Sequence, residues 1–192
     1  MPKVGVLALQ GDVREHASML EKAGADVSLV KRAEHLDDLH GLIIPGGEST
    51  TIAHLLTTSG VREALEKKIK DGFSVLGTCA GLIMLSSAIE GGRSDQWSYN
   101  ALDVVVKRNG YGRQIASFET DIDVKGIGLV PGVFIRAPRV VSVGSEVEIL
   151  ATYDHGDGVH PVFMRQGNAW GCSFHPELTS DSRMHELFVK SL

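Results

Sequence analysis

Apolar runs alternate with helical patterns through the first half of the chain. Residues 4–9 form a short apolar run typical of a buried strand. The next apolar positions recur at helical spacing until Gly24: Val13, Ala17 and Leu20. Asp12, followed three residues later by Glu15, predicts a capping box where that helix begins. A strand followed directly by a helix is the repeating unit of a parallel sheet covered by crossover helices.

The same alternation continues as far as residue 92. Strands are predicted at residues 25–31, Gly41–Ile44 and 73–77, and helices at Ser49–Thr58, 61–71 and 80–89. Gly91 and Gly92 would close the last of these helices. The first half of the chain therefore predicts an α/β fold.

Beyond residue 92 the pattern changes to short β-branched segments separated by Gly, Asn or Asp. Seven strands are predicted, at residues 102–107, 115–124, 128–135, 139–143, 148–153, 161–165 and 169–174. We expect them to be largely antiparallel additions to the same sheet, followed by a helix over about residues 182–192. Because no linker or repeat divides the chain, residues 1–192 are predicted to form a single domain.

Composition narrows the function classes. A net charge of −5 without a basic stripe argues against a nucleic-acid partner, and no apolar run is long enough to cross a membrane. The apolar run near the N-terminus is also too short for a signal peptide. With only two cysteines, Cys79 and Cys172, a reducing compartment is the simpler interpretation, so we expect a cytoplasmic protein.

The strongest local signal is Cys79, flanked by Gly77 and Gly81 between an apolar strand and a helix. This is the form of a nucleophile elbow, with Cys where other hydrolases carry Ser. The glycines relieve crowding in a sharp turn, and the helix N-terminus favours a thiolate, so we expect Cys79 to be exposed and activated. The alternative is a small core cysteine beside glycines that allow tight packing, which is how we interpret Cys172.

A cysteine nucleophile needs a base and a group that orients it, and His175 and Glu177 offer both. Pro176 favours an extended His175, so the two side chains can project to the same side of the chain. The other seven histidines are expected to be surface or satisfied polar residues: His16, His35, His40, His54, His155, His160 and His185.

Gly46, Gly47, Glu48 and Ser49 form a glycine turn that leads into a helix. Its free N–H groups would suit an oxyanion, or it is simply a turn with Ser49 as the helix N-cap. His155 and His160 lie in a glycine-rich turn, and the sequence shows no cluster with metal-ligand spacing and no nucleotide-binding glycine motif. Neither a metal nor a cofactor is predicted.

Six segments together resemble the glutaminase subunits of pyridoxal 5′-phosphate synthases, which are class I glutamine amidotransferases. They are VLALQGD at 6–12, PGGESTT at 45–51, GTCAGL at 77–82, RNGYGRQ at 108–114, FIRAP at 134–138 and SFHPELT at 173–179. The resemblance covers the whole chain. It implies a three-layer, flavodoxin-like mixed sheet with helices on both faces.

The resemblance also implies the reaction and its residues. Cys79, His175 and Glu177 would hydrolyse L-glutamine to L-glutamate and ammonia, with backbone N–H groups of Gly47 and Ala80 holding the oxyanion. Glutamine would be bound by Gly47, Glu48, Ser49, Arg108, Ile135 and Arg136. Ammonia would pass to a pyridoxal 5′-phosphate synthase subunit in a hetero-oligomer. Three alternatives remain. They are the glutaminase subunit of another amidotransferase, such as imidazole glycerol phosphate synthase; a cysteine hydrolase or chaperone-like protein of related α/β architecture that acts on peptides or reactive carbonyls; and a non-catalytic regulatory subunit.

Overall fold

The computed structural model describes residues 1–108, 110, 117–156 and 158–192. The helices in this part of the chain are α1 (Val13–Lys22), α2 (Ser49–Thr58), α3 (Val61–Lys70), α4 (Ala80–Leu85) and α5 (Arg183–Lys190). The strands are β1 (Lys3–Leu7), β2 (Asp26–Val30), β3 (Gly41–Ile44), β4 (Ser74–Thr78), β5 (Ser86–Glu90), β6 (Leu102–Lys107), β7 (Ser117–Val124), β8 (Gly128–Ile135), β9 (Arg139–Val143), β10 (Glu148–Asp154), β11 (Val159–Gln166) and β12 (Ala169–Cys172). Two short 3₁₀ turns, Ala33–Leu36 and Pro176–Leu178, complete the set.

A seven-stranded sheet in the order β10-β11-β12-β4-β3-β1-β2 forms the centre of the molecule. From β2 to β12 neighbouring strands are parallel, whereas β11 runs antiparallel to both β12 and β10. The inner strands β1, β3 and β4 are almost entirely buried because both of their faces are covered, whereas the edge strand β2 is partly exposed. The predicted α/β fold with a mixed sheet is confirmed.

Helices cover both faces of this sheet, since successive strand residues point to opposite sides. In β3, Leu42 and Ile44 pack into the apolar cluster that includes α2, α3 and α4, while Ile43 packs with α1 and α5. This arrangement gives the expected three layers. It also places the carboxyl ends of β1, β3 and β4 side by side at one edge of the sheet.

The second half of the chain departs from the prediction of additions to one sheet. Only β10, β11 and β12 join the central sheet, and β12 does so parallel to β4. The strands β5, β6 and β9 form a separate three-stranded sheet, and β7 with β8 forms a hairpin. The first packs on the α4 side and the second on the α1 and α5 side, so each buries one apolar face without extending the central sheet.

The helix predicted at residues 80–89 is also wrong. It ends at Leu85, and residues 86–90 form β5, which pairs parallel with β6. The Ser86 hydroxyl donates to the Ile83 carbonyl (2.8 Å), and the Ser86 backbone is extended. Serine competes with helical hydrogen bonding in this way, and the free edge of β6 offers the following residues a partner.

The other predicted elements are present with ends shifted by a few residues, as is usual for helix and strand termini. Residues 115–116 of one predicted strand lie outside the described residues. No helix in the described part of the chain is long and apolar enough to cross a lipid bilayer.

Candidate active site

Cys79 occupies a strained turn between β4 and α4. Its φ of 49° is positive, which is rare for a residue with a side chain. The flanking glycines are required by close backbone approach. A Cβ on Gly81 would lie 2.0 Å from the Ile44 carbonyl oxygen, and one on Gly77 would lie 2.4 Å from the Gly81 backbone. The turn therefore has the form of the predicted nucleophile elbow.

The expectation of an exposed thiol was wrong. Only 7% of Cys79 is accessible, because the residue lies at the floor of a cavity and not on the open surface. Cys172, by contrast, is fully buried in the core as predicted, and burial raises the pKa of its thiol well above the usual value. Both cysteines are free.

His175 and Glu177 face the elbow from the loop after β12. Although Pro176–Leu178 is a 3₁₀ turn and not an extended segment, the two side chains meet as expected: His175 Nδ1 donates to Glu177 Oε1 (2.7 Å). Both residues are at least 96% buried. The Cys79 thiol interacts with the imidazole and donates to the Ile135 carbonyl oxygen (3.9 Å from Sγ).

Burial lowers the pKa of His175, but hydrogen bonds with Asp12, Cys79 and Glu177 outweigh that effect and raise it to about 12. The imidazole therefore holds its proton at neutral pH in this arrangement. Burial also raises the pKa of Glu177, against the lowering effect of the His175 hydrogen bond.

Asp12 is a site residue that the sequence reasoning missed. The predicted capping box is wrong, because the Asp12 side chain makes no cap hydrogen bond and its Oδ2 lies 3.3 Å from His175 Nδ1. Asp12, His175 and Glu177 bring three potential ligand atoms within 4.8 Å of one another. Because Nδ1 is already bonded to Glu177, we interpret the cluster as a hydrogen-bonded group.

Glu48 caps the helix α2, so the alternative of Ser49 as N-cap was also wrong. The Glu48 carboxylate accepts from the backbone N–H groups of Thr50 (3.1 Å) and Thr51 (2.8 Å) and from both hydroxyls. Burial raises the pKa of Glu48, but these hydrogen bonds outweigh it and lower the pKa to about 2. The carboxylate is therefore ionised at any pH at which an enzyme would work.

Gln10, a second site residue that the sequence reasoning missed, contacts the turn before Glu48. Gly47 has a φ of 154°, and the following N–H, from Glu48, donates to Gln10 Oε1 (2.9 Å). A Cβ on Gly47 would lie 2.4 Å from that oxygen. Gln10 and Asp12 follow β1, so their position beside β3 and β4 was the signal that could have identified them.

Arg108 joins Glu48 to the segment between β5 and β6. Its Nη2 donates to Glu48 Oε1 (2.9 Å) and its Nη1 to Gln96 Oε1 (3.1 Å). Gln96 Nε2 in turn donates to the Ser49 hydroxyl (2.9 Å). Residues 92–101 match no motif, so no sequence signal pointed to Gln96. Of the RNGYGRQ motif, residues 109 and 111–114 lie outside the described residues.

These side chains surround a cavity of about 390 Å³. Nine of the ten predicted site residues line it: Gly47, Glu48, Ser49, Cys79, Ala80, Arg108, Ile135, Arg136 and His175. The tenth, Glu177, lies behind His175. Ala80 begins α4, so its backbone N–H has no partner within the helix and lies beside the thiol. A thiol, an imidazole, backbone N–H groups and side chains of opposite charge thus meet in one cavity.

The chain matches the SNO glutamine amidotransferase family over residues 6–192. It is 54% identical over 190 residues to a protein of Streptomyces avermitilis named pyridoxal 5′-phosphate synthase subunit PdxT, covering 98% of this chain and 92% of that protein. It is 50% identical to the protein of the same name from Thermosipho africanus, covering 97% of each chain.

Solved structures give the same comparison. A structure described as a glutamine amidotransferase is 46% identical to this chain, covers 97% of each chain and has a TM-score of 0.90. The structure of PurLQS from Thermotoga maritima has a TM-score of 0.70 at 16% identity, covering 98% of this chain and 99% of that one, and shows a shared fold alone.

Proposed function

Because the chain belongs to the SNO glutamine amidotransferase family, we propose that it hydrolyses L-glutamine to L-glutamate and ammonia through a thioester on Cys79. The observation that carries the proposal is the alignment at the cavity floor. The Cys79 thiol interacts with His175, and His175 Nδ1 donates to Glu177 Oε1 at 2.7 Å. This is the order of nucleophile, base and orienting acid that covalent hydrolysis needs.

In the first step the Cys79 sulfur attacks the side-chain carboxamide carbon of glutamine. The carbonyl oxygen becomes an oxyanion, which the backbone N–H groups of Gly47 and Ala80 stabilise. His175 gives its proton to the amide nitrogen, the C–N bond breaks and ammonia leaves. A glutamyl thioester on Cys79 remains.

In the second step water attacks the thioester carbon. His175, now neutral, accepts a proton from that water as the new C–O bond forms. Collapse of the tetrahedral intermediate breaks the C–S bond and releases glutamate. The thiolate and the protonated His175 are restored, so each turnover consumes one glutamine and one water.

The charged groups of the cavity suit the two ends of the amino acid. Arg108 would bind the α-carboxylate of glutamine, and Glu48 would bind the α-ammonium. The low pKa of Glu48 supports this role, since an ionised carboxylate is needed to hold a cation. Ser49, Ile135 and Arg136 would contact the remainder of the substrate at the cavity wall.

We further propose that the ammonia is used by a pyridoxal 5′-phosphate synthase subunit to which this chain docks. The support is that the relatives at 54% and 50% identity carry the name of a subunit of that synthase. The two free cysteines support a cytoplasmic location, because reducing conditions keep thiols unpaired.

The first experiment measures glutamate release from glutamine by the purified chain, with and without the synthase subunit from the same source. We expect release that depends on the partner and disappears in Cys79→Ala, because the thioester cannot form without the thiol. Binding of the partner should be retained in that variant.

Cys172→Ala is the matched control, since it removes the other cysteine, which does not line the cavity, and should keep most of the activity. Unchanged hydrolysis in Cys79→Ala would reject the covalent mechanism. Ammonia delivered to a different synthase, such as a histidine-pathway cyclase, would instead show that the partner is wrong.

A further inference from the structure

Two buried histidines lie behind the active site and have no role in the mechanism above. His16 on α1 and His185 on α5 are both completely inaccessible to solvent. His16 Nδ1 lies 2.9 Å from His185 Nε2, which is a hydrogen-bond distance. On its other side, His16 Nε2 lies 3.0 Å from Thr78 Oγ1 and 3.4 Å from Glu177 Oε2.

The surroundings of both histidines favour the neutral imidazole. Burial, and then the nearby His185 and His175, lower the pKa of His16 well below its usual value. Burial lowers the pKa of His185 to about 4. Each ring therefore carries one proton at neutral pH, and the question is which nitrogen holds it.

The tautomers of His16 and His185 follow from the surroundings of His185 Nδ1, the ring nitrogen that does not face His16. His185 Nδ1 is buried and has no hydrogen-bond partner among the described residues. A buried N–H without an acceptor is rarer than an acceptor left without a donor, so the proton of His185 is on Nε2. That N–H donates to His16 Nδ1, which must be bare, and the proton of His16 is therefore on Nε2.

The His16 N–H consequently points at Thr78, whose hydroxyl accepts it (3.0 Å) and which precedes Cys79 in the chain. The same His16 nitrogen lies 3.4 Å from Glu177 Oε2. Glu177 Oε1 accepts from His175, whereas the buried Oε2 has no hydrogen-bond partner among the described residues. The His16 imidazole packs against this oxygen, so Glu177 is hydrogen-bonded to His175 through one oxygen and contacts His16 through the other.

We propose that His16 and His185 are positioning residues of the active site, a neutral pair that donates to Thr78 and packs against Glu177, and so holds the carboxylate that orients His175. The inference rests on the proposed glutaminase function for its kinetic consequences. The histidine pair acts through Glu177 and does not touch glutamine.

The pair has a defined effect on pH dependence. The titratable groups around it are Asp12, Cys79, Cys172, His175 and Glu177. Of these, Glu177 is the one that His16 contacts directly. Burial raises the pKa of Glu177. The polar His16 ring beside Oε2 favours the ionised carboxylate over what an apolar side chain would allow, so we expect its replacement by leucine to raise that pKa further. The acidic limb of activity should then move to higher pH.

The test compares His16→Leu, His16→Gln and His185→Phe, each assayed with the synthase subunit present. In His16→Leu, kcat should fall about 2- to 10-fold, the range expected for losing one neutral hydrogen bond, while KM changes little. The acidic limb of kcat/KM should shift upward in pH. His16→Gln, whose amide N–H can replace Nε2–H, should restore most of both quantities.

The exposed His54, which is outside the cavity, provides the control: His54→Leu should match the wild type in rate and pH profile. A pair that only joins two helices would lower stability in His16→Leu without moving the pH profile. A folded His16→Leu with unchanged kcat and unchanged acidic limb would overturn the proposal.

A second measurement needs no variant and no activity. Nitrogen-15 NMR of the histidine rings in the wild-type chain should show His16 and His185 as neutral Nε2–H tautomers at pH 7. Finding the proton of His16 on Nδ1 would reject the inference even if glutaminase activity is present. Conversely, the expected tautomers in a chain without glutaminase activity would leave the arrangement standing and reject the proposed function.

Discussion

Arg108 and Glu48 form a hydrogen-bonded ion pair in the cavity that would receive glutamine. The guanidinium donates to Glu48 at 2.9 Å and to Gln96 at 3.1 Å, and 22% of the Arg108 side chain is accessible. When glutamine binds, Arg108 would exchange its ion pair with Glu48 for one with the substrate α-carboxylate. Glu48 would exchange it for an ion pair with the α-ammonium. Part of the binding energy is therefore offset by the lost ion pair.

Arg108→Gln tests the assignment of the carboxylate-binding cation. Loss of one charge-assisted contact should raise KM for glutamine about 10- to 100-fold. The change in kcat should be smaller than about threefold, because Arg108 contacts the substrate equally before and during reaction. Steady-state kinetics with the synthase subunit present measure both quantities.

Arg93→Gln is the matched control. Arg93 is paired with Asp95 on the surface and does not line the glutamine cavity, so its replacement should leave KM unchanged. An unchanged KM in Arg108→Gln as well would mean that another cation, such as Arg136, binds the carboxylate.

The sequence identified residues whose chemistry is local and missed those whose chemistry depends on the fold. Cys79, His175 and Glu177 are recognisable because an elbow and a His-Pro-Glu segment each carry their signal within a few positions. Asp12 and His16 carry no such signal. Their place in the site follows from the packing of α1 beside the ends of β3 and β4, which sequence spacing does not encode.

At the scale of elements, periodicity identified the parallel strands and their helices, since those elements bury long apolar runs on both faces. It failed at α4, where six buried residues in succession suit either a helix or a strand. The outcome was decided by the pairing of β5 with β6, a tertiary contact. The separate sheets were unpredictable for the same reason, because short β-branched segments do not specify their neighbours.

The buried His16–His185 pair between α1 and α5 leads to a prediction about the free energy of unfolding at acidic pH. His16 and His185 have folded pKa values below the unfolded value of about 6.5, so the unfolded state binds more protons as pH falls. Their contribution is complete above pH 6.5 and is lost toward pH 4. Each histidine can lower the free energy of unfolding by up to about 1.4 kcal/mol per pH unit in that window.

Urea unfolding between pH 7 and pH 5 measures this slope. The double variant His16→Leu/His185→Leu should show a flatter dependence on pH than the wild type, whereas His54→Leu should keep the wild-type slope. Equal slopes in the wild type and the double variant would show that the buried pair is not the source. His175, whose pKa is raised, acts in the opposite direction, with stability lost as pH rises above 6.5.

At the scale of the whole molecule, the central sheet joins distant parts of the chain. The strand β4, from the first half, lies between β3 and β12, and the three strands beyond it come from residues 148–172. Neither half can complete its sheet without the other. The prediction that residues 1–192 form a single domain is therefore a prediction of one cooperative unfolding transition.

The two tryptophans allow that prediction to be tested, because each packs in a different layer. Trp97 packs against the cluster of α2, α3 and α4, and Trp170 lies within the cluster of α1 and α5. In Trp170→Phe and Trp97→Phe, the remaining tryptophan reports one layer alone. Urea transitions followed by each fluorescence signal and by circular dichroism should coincide within each variant, since a layer cannot stay packed after the shared sheet unfolds. Loss of the Trp97 signal at lower urea than the loss of secondary structure would instead divide the chain into two units and reject the single domain.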